Sequence, residues 1–201
     1  NRDLHSAERW TWALKSRRPV VNLTFVANDA LGGLDPRGYH AVNMVVHALA
    51  GLALFGFVRR TLLLERFGGR FARGAPWLAF AIALLWTVHP LQTQSVTYVV
   101  QRAESLMGLF YLLTMYCFVR GATTRRAGAW YVAAIVCAVL GMGSKAVMVT
   151  VPLVALLYDW TFLAKSWGDL LRKRWAFHAG LVGTWLVLLA VGVLGGVLFP
   201  P

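Results

Sequence analysis

A polar stretch between two apolar runs holds the side chains best suited to catalysis. Within residues 88–104 the sequence has a histidine at His89, an arginine at Arg102 and a carboxylate at Glu104. Ionisable groups at membrane depth are costly, so they usually face a cavity or a partner and mark a site. A guanidinium is planar and permanently charged, which suits phosphate. We predict that Arg102 binds phosphate and that His89 and Glu104 are catalytic; the alternative is a mutual Arg102–Glu104 salt bridge on a solvated surface.

A second set of polar residues lies in the first apolar run of the chain, about residues 39–58. His40, Asn43 and His47 are spaced i, i+3, i+7 and therefore share one face of a helix. Such a stripe in a membrane helix must face protein or water. It either forms hydrogen bonds between helices or belongs to a site. In the second case, His40 and Asn43 orient the phosphate or the acceptor.

A third candidate lies at the sequence Gly141-Met142-Gly143-Ser144-Lys145. The glycines allow a tight reversal, and Ser144 and Lys145 then supply donors at the start of the next helix, where anions bind readily. A lysine that only extends to the membrane interface is the alternative. With Arg18 as a third cation, we predict that Ser144, Lys145 and Arg18 bind phosphate together with Arg102.

The composition shows what kind of protein must position these residues. The chain of 201 residues is 58% hydrophobic and 14% charged, whereas an ordinary soluble domain is about 25% charged. We predict an all-α, polytopic membrane bundle over residues 39–201, preceded by a non-cytoplasmic segment, 1–38, with amphipathic interfacial helices. A crossing helix needs roughly 17–25 residues, so the second and fourth of six predicted spans are short. The spans are about 39–58, 76–90, 104–120, 129–143, 146–163 and 176–199.

The distribution of arginine and lysine predicts the orientation of the bundle. Twelve of the 20 cations fall in the connections after the first, third and fifth spans, which are therefore predicted to be cytoplasmic. Most of the others lie in the long segment before the first span, and long segments count less. Residues 1–38, the turn near 88–104 and the turn near 141–146 are then together on the non-cytoplasmic face. The net charge of +12 is not accompanied by a nucleic-acid-binding motif, so we predict no nucleic-acid partner.

Several of these pieces resemble, in order, the transmembrane O-mannosyltransferases that carry tetratricopeptide repeats, and most of all their bacterial branch. The matching segments are Arg18 to Phe25, Asn28 to Gly33, Gly38 to Leu49, His89 to Val96, Val100 to Arg102, and Ser144-Lys145. The resemblance implies a GT-C-type fold. It also implies transfer of a mannose-like sugar from a polyprenyl-phosphate donor to an acceptor hydroxyl, on protein Ser or Thr in the eukaryotic members. In this family a carboxylate of the first outer loop acts as base and cations hold the donor phosphate.

The resemblance also predicts the location and the partners of the protein. A bacterial member lies in the inner membrane and a eukaryotic one in the endoplasmic reticulum membrane, with the site on the periplasmic or lumenal side. The expected partners are membrane lipid, the lipid-linked sugar and a protein acceptor. No zinc-ligand set is visible in the sequence, and a requirement for a divalent metal is left open.

Two departures from the family pattern favour a different function. The family's acidic pair follows a first membrane helix that would precede Asn1, so we expect a fragment without that helix and without the C-terminal repeats. In addition, Ala146 stands where the family usually has Glu after Ser-Lys. The alternative is a non-catalytic membrane subunit that keeps the scaffold and packs into a larger membrane complex.

Overall fold

The fold is built entirely from helices in the part of the chain that the structure describes. A computed structural model describes the backbone of residues 6–198, and the side chains of this range except at positions 6, 167, 171 and 193–198. The α-helices are α1 (Ser6–Lys15), α2 (Pro19–Gly32), α3 (Pro36–Leu62), α4 (Ala75–Thr87), α5 (Thr93–Thr97), α6 (Arg102–Ala122), α7 (Ala127–Met142), α8 (Val151–Tyr158) and α9 (Trp167–Leu198). Short 3₁₀ turns at Glu65–Phe67, Pro90–Gln92, Val99–Gln101 and Ala146–Thr150, and a π turn at Asp159–Leu163, complete the set.

Six apolar helices follow the order that hydropathy predicts. Within residues 6–198, four segments are long and apolar enough to cross a membrane: Pro36–Leu62, Val99–Ala122, Ala146–Leu163 and Arg172–Gly192. The other two, α4 and α7, have 13 and 16 residues. At 1.5 Å per residue they span about 20 and 24 Å, less than the ~30 Å hydrocarbon layer. The all-α, polytopic class and the short second and fourth spans are confirmed, and the chain is an integral membrane protein.

Local sequence determines where the first helices begin and end. Pro19 lies in the first turn of α2, and Gly33 closes that helix with φ +62°, a conformation that favours glycine. Asp35 caps α3, because its carboxylate accepts a hydrogen bond from the Arg37 N–H at 3.0 Å. Gly33 and Asp35 therefore mark the end of α2 and the beginning of α3.

Contacts between α3 and α6 define the two ends of the bundle. At one end Arg102 of α6 bonds to Tyr39 of α3, and at the other Arg60 of α3 lies over the ring of Tyr116 of α6. The two helices therefore run in the same direction. We call the first end, which also holds Lys145, the Lys145 end, and the second, which holds Arg59, Arg60 and Arg120, the arginine-rich end.

The main hydrophobic core lies between α6, α7, α8 and α9. Phe118 of α6 is fully buried and stacks on Phe177 of α9, with ring centroids 4.7 Å apart. Met142 of α7 and Met148, just before α8, fill the same cluster. This packing fixes the turn between α7 and α8, which includes Lys145.

Candidate active site

Arg102 lies inside the Lys145 end with none of its surface exposed. Its Nε donates to Asn43 Oδ1 at 2.8 Å, and its Nη atoms donate to the backbone oxygens of Tyr39 at 2.9 Å and Thr24 at 3.4 Å. The guanidinium also lies 4.6 Å from the ring centroid of Phe25. Arg102 thus joins α2, α3 and α6. Its predicted contact with phosphate stays a prediction, and in this arrangement the guanidinium faces protein.

Two polar residues of the α3 stripe hold the connection between α4 and α6. Asn43, fully buried, donates from Nδ2 to Tyr98 O at 3.3 Å, and His40 Nδ1 lies 3.3 Å from Val96 O. Both side chains bond to backbone, which is the structural alternative named for this stripe. Their predicted role in orienting substrate is not tested by these contacts.

The remaining histidines of this region have different surroundings. His47 is buried, with Nε2 2.9 Å from Thr87 O and its ring 5.2 Å from that of Trp86. His89 is exposed, and its Nδ1 accepts a hydrogen bond from the Leu91 N–H at 3.2 Å, so it caps the turn Pro90–Gln92. The catalytic role predicted for His89 stays a prediction.

Glu104 pairs with Lys145 and not with Arg102, so the mutual salt bridge considered from sequence is not formed. The Lys145 Nζ donates to Glu104 Oε1, and the two side chains are 27% and 40% exposed. The pair joins the start of α6 to the turn after α7. Because both side chains are partly exposed, a ligand can reach either charged group.

The start of α2 packs directly against the same turn. The Val20 N–H donates to Gly143 O at 3.2 Å. A Cβ added at Gly143 would lie 2.8 Å from Val20 Cγ2, closer than side chains tolerate. Only a residue without a side chain permits this approach, which brings Arg17 and Arg18 to the Lys145 turn.

A cleft of about 420 Å³ lies where α2, the Lys145 turn and α9 meet. Three cations line it, and the rest of its wall is apolar apart from backbone. The lining residues are Arg17, Arg18, Met142, Lys145, Ala146, Val147, Leu188, Val191 and Gly192. The structure therefore brings together two of the predicted phosphate-binding residues, Arg18 and Lys145, and adds Arg17.

Ser144 differs from its neighbour. It is fully buried, and its hydroxyl donates to Leu140 O at 3.0 Å within the last turn of α7. The chain then forms the 3₁₀ turn Ala146–Thr150, so α8 itself begins only at Val151. The phosphate contact predicted for Ser144 stays a prediction, and Lys145 alone of the two lines the cleft.

Comparison with protein families assigns the chain to a family. The family model described as dolichyl-phosphate-mannose-protein mannosyltransferase matches residues 31–193. The chain belongs to this mannosyltransferase family. The resemblance seen in the sequence is confirmed.

The relatives compared below are all described as protein O-mannosyl-transferases. The human protein O-mannosyl-transferase TMTC2 is 35% identical over 149 residues, covering 72% of this chain and 16% of the relative. Human TMTC1 is 38% identical over 53% of this chain and 11% of the relative, and Drosophila melanogaster Tmtc2 is 33% identical over 72% and 15%. The chain spans about one sixth of the length of these proteins or less. No solved structure matches it.

Two features of this mannosyltransferase-family chain were not predicted from its sequence: the position of Arg17 in the cleft and a buried cluster around Asp159. Arg17 is the neighbour of Arg18 and lies just before Pro19, and this position is the sequence feature that indicates a second cation in the cleft. At the arginine-rich end, buried Asp159 accepts from Arg174 Nε at 2.8 Å and lies 2.8 Å from His178 Nε2. The contact between Asp159 and His178 depends on how the π turn packs against α9, which the sequence pattern does not specify.

Proposed function

We propose that this chain forms the donor-binding part of a membrane mannosyltransferase. The enzyme would transfer mannose from a polyprenyl-phosphate donor to a Ser or Thr hydroxyl of a protein, with the Lys145 end on the periplasmic or lumenal side. The observation that carries the proposal is the cleft in which Arg17, Arg18 and Lys145 meet an apolar wall.

The chemistry of the cleft matches an amphiphilic anion. Guanidinium and ammonium groups bind phosphate oxygens, while Met142, Val147 and Leu188 offer apolar surface to a hydrocarbon chain. A soluble sugar phosphate would gain nothing from that wall. A polyprenyl phosphate would use both parts.

The same cations would assist the chemical step. In an inverting transfer the acceptor oxygen attacks the anomeric carbon, the bond from that carbon to the phosphate oxygen breaks, and negative charge develops on the leaving polyprenyl phosphate. Fixed positive groups stabilise charge that develops in the transition state. Arg17, Arg18 and Lys145 are the groups that would do so here.

Glu104 has two successive roles in this proposal. In the free protein it holds Lys145 at the cleft through their ion pair. When Lys145 contacts the donor phosphate, Glu104 is released to accept the proton of the acceptor hydroxyl. His89 at the exposed loop would orient the acceptor. Arg102 would position α2, and with it Arg17 and Arg18, which directly precede that helix.

The test is transfer of labelled mannose from a polyprenyl-phosphate donor by the full-length protein that contains this chain. Arg18→Gln and Lys145→Gln are expected to raise the donor KM about tenfold each, because each removes a charge-assisted contact of roughly 1.5 kcal/mol. Lys15→Gln is the matched control, since Lys15 is exposed on the neighbouring helix and does not line the cleft. Unchanged donor KM in both cleft variants would disprove the assignment.

One observation favours the second candidate, a non-catalytic membrane subunit. Ala146 lines the cleft beside Lys145, so the carboxylate expected there from the family pattern is missing inside the site itself. Such a subunit would still bind the donor. The same full-length protein would then retain labelled polyprenyl phosphate, lose it on Lys145→Gln, and show no transfer to any protein acceptor.

A further inference from the structure

A second cavity opens at the opposite, arginine-rich end of the bundle, between α3 and α6. Its volume is about 400 Å³, within the range of pockets that hold drug-sized ligands. One part is basic and another is aliphatic. The residues that define it are Arg59, Arg60, Arg120, Leu49, Leu52 and Leu113. We call it the α3–α6 groove.

Two of the three arginines, Arg60 and Arg120, lie against aromatic rings. Arg120 donates from Nη1 to the Tyr116 hydroxyl at 2.7 Å and lies 4.3 Å from the Trp130 ring centroid. Arg60 lies 6.0 Å from the Tyr116 ring centroid. In the described part of the chain, none of the ion pairs formed by carboxylates includes Arg59, Arg60 or Arg120. The groove thus has uncompensated positive charge.

The apolar part of the groove faces outward, in the membrane-spanning part of α3. Leu49 and Leu52 are 46% and 65% exposed. The Tyr116 ring packs where α3 has Gly56, since a Cβ there would lie 2.7 Å from a Tyr116 ring carbon. The ring leaves the leucine surface uncovered and presents its hydroxyl beside the arginines. The result is an aliphatic channel that ends at three cations.

We propose that the α3–α6 groove binds one anionic phospholipid from the leaflet at the arginine-rich end. Its phosphate contacts Arg59, Arg60 and Arg120, and an acyl chain lies along Leu49, Leu52 and Leu113. Basic pockets between membrane helices are known to bind the head groups of anionic lipids. The lipid is distinct from the proposed sugar donor, because the donor cleft lies at the other end of the bundle.

The apolar wall decides between a lipid and a free phosphate ion. A free ion would use only the arginines and would leave Leu49 and Leu52 against bulk membrane. A phospholipid buries hydrocarbon there, and each buried CH₂ contributes about 0.8 kcal/mol. Affinity that depends on the acyl chain therefore identifies the lipid.

The experiment uses the full-length protein in nanodiscs that contain phosphatidylglycerol with a photoactivatable acyl chain. Labelled peptides are mapped by mass spectrometry. In the wild type we expect labelling of residues 49–56 and 109–116. The triple variant Arg59→Gln, Arg60→Gln and Arg120→Gln should reduce it at least about tenfold, since each cation contributes roughly 1 kcal/mol to binding an anionic lipid. The matched control is the triple variant Arg66→Gln, Arg70→Gln and Arg73→Gln, which removes the same charge from the connection after α3 and should label normally.

A second variant keeps the test independent of any effect of the arginines on folding. Leu52→Trp fills the aliphatic part, leaves the cations in place and changes a residue that is 65% exposed; it should also reduce labelling. Inorganic phosphate at millimolar concentration should not compete. The proposal would be overturned by equal labelling with a phosphatidylcholine probe, by competition from phosphate, or by normal labelling of both groove variants. It would also be overturned if residues 49–56 and 109–116 of the wild type were not labelled because protein covers the groove.

Discussion

Arg102 carries a permanent positive charge in the interior of the bundle, where neutral oxygens and aromatic rings surround it. Its hydrogen bonds go to one side-chain amide and two backbone carbonyls, on Asn43, Tyr39 and Thr24. A guanidinium can satisfy three acceptors on different helices at once because its donors form a planar fork. An ammonium group also has three donors, but they radiate from a single nitrogen and do not reach acceptors that are spread around the guanidinium plane.

We therefore predict that Arg102→Lys lowers the stability of the protein by about 3 kcal/mol, since it breaks several charge-assisted hydrogen bonds and leaves a buried ammonium with too few partners. The measurement is thermal or denaturant unfolding of the purified protein in mild detergent. Arg125→Lys, at an exposed position in the connection after α6, is the control and should have no effect.

The same variant separates the two roles considered for Arg102. If the side chain binds donor phosphate directly, Arg102→Lys would keep the melting temperature and raise the donor KM. If it positions α2, stability falls first, and any rise in donor KM accompanies the loss of structure. A stable protein with weakened donor binding would contradict the positioning role.

At the scale of the helices, the sequence predicted the elements better than their mutual contacts. Hydropathy depends on runs of residues, so the six apolar segments and the short second and fourth ones were evident. Which side chains meet depends on helix rotation and depth, which no run of residues specifies. Glu104 could pair with Arg102, two residues away, or with Lys145, 41 residues away, and only the packing of α6 against α7 selects Lys145.

The approach of α2 to the Lys145 turn is a property of two elements and gives a prediction at that scale. Gly143→Ala places a Cβ against Val20 Cγ2, and the β-branched valine has little freedom to move away. The start of α2 must shift, which separates Arg17 and Arg18 from Lys145 while all three cations are retained. We expect the donor KM to rise about fivefold, because overpacking costs roughly 1 kcal/mol and this free energy corresponds to about a fivefold change in affinity.

A compensating change provides the control for this prediction. Val20→Ala removes Cγ2, so the double variant Gly143→Ala with Val20→Ala should recover most of the donor affinity. Val20→Ala alone should change it little. If the double variant is as weak as Gly143→Ala, the close approach is not what aligns the cations, and the helical arrangement proposed for the cleft is wrong.

At the scale of the whole molecule, each end of the bundle is held by its own buried polar cluster. Arg102 and Asn43 hold the Lys145 end, and Asp159 with Arg174 and His178 holds the other. These clusters are separate, since the chain from Lys145 to Asp159 extends about 20 Å along the membrane. Stability and donor binding should therefore respond differently to changes at the two ends.

Asp159 allows this separation to be tested. Asp159→Ala leaves Arg174, a residue that is 9% exposed, without its carboxylate partner. Breaking a buried pair on one side costs about 3–5 kcal/mol. Replacing both partners, as Asp159→Leu with Arg174→Met, removes the unpaired charge and should cost less than the single change. Unfolding in detergent measures both variants, and the donor KM of the folded fraction should match the wild type. A double variant no more stable than the single one, or a raised donor KM, would show that the two ends are coupled and that the Asp159 cluster does more than join α8 to α9.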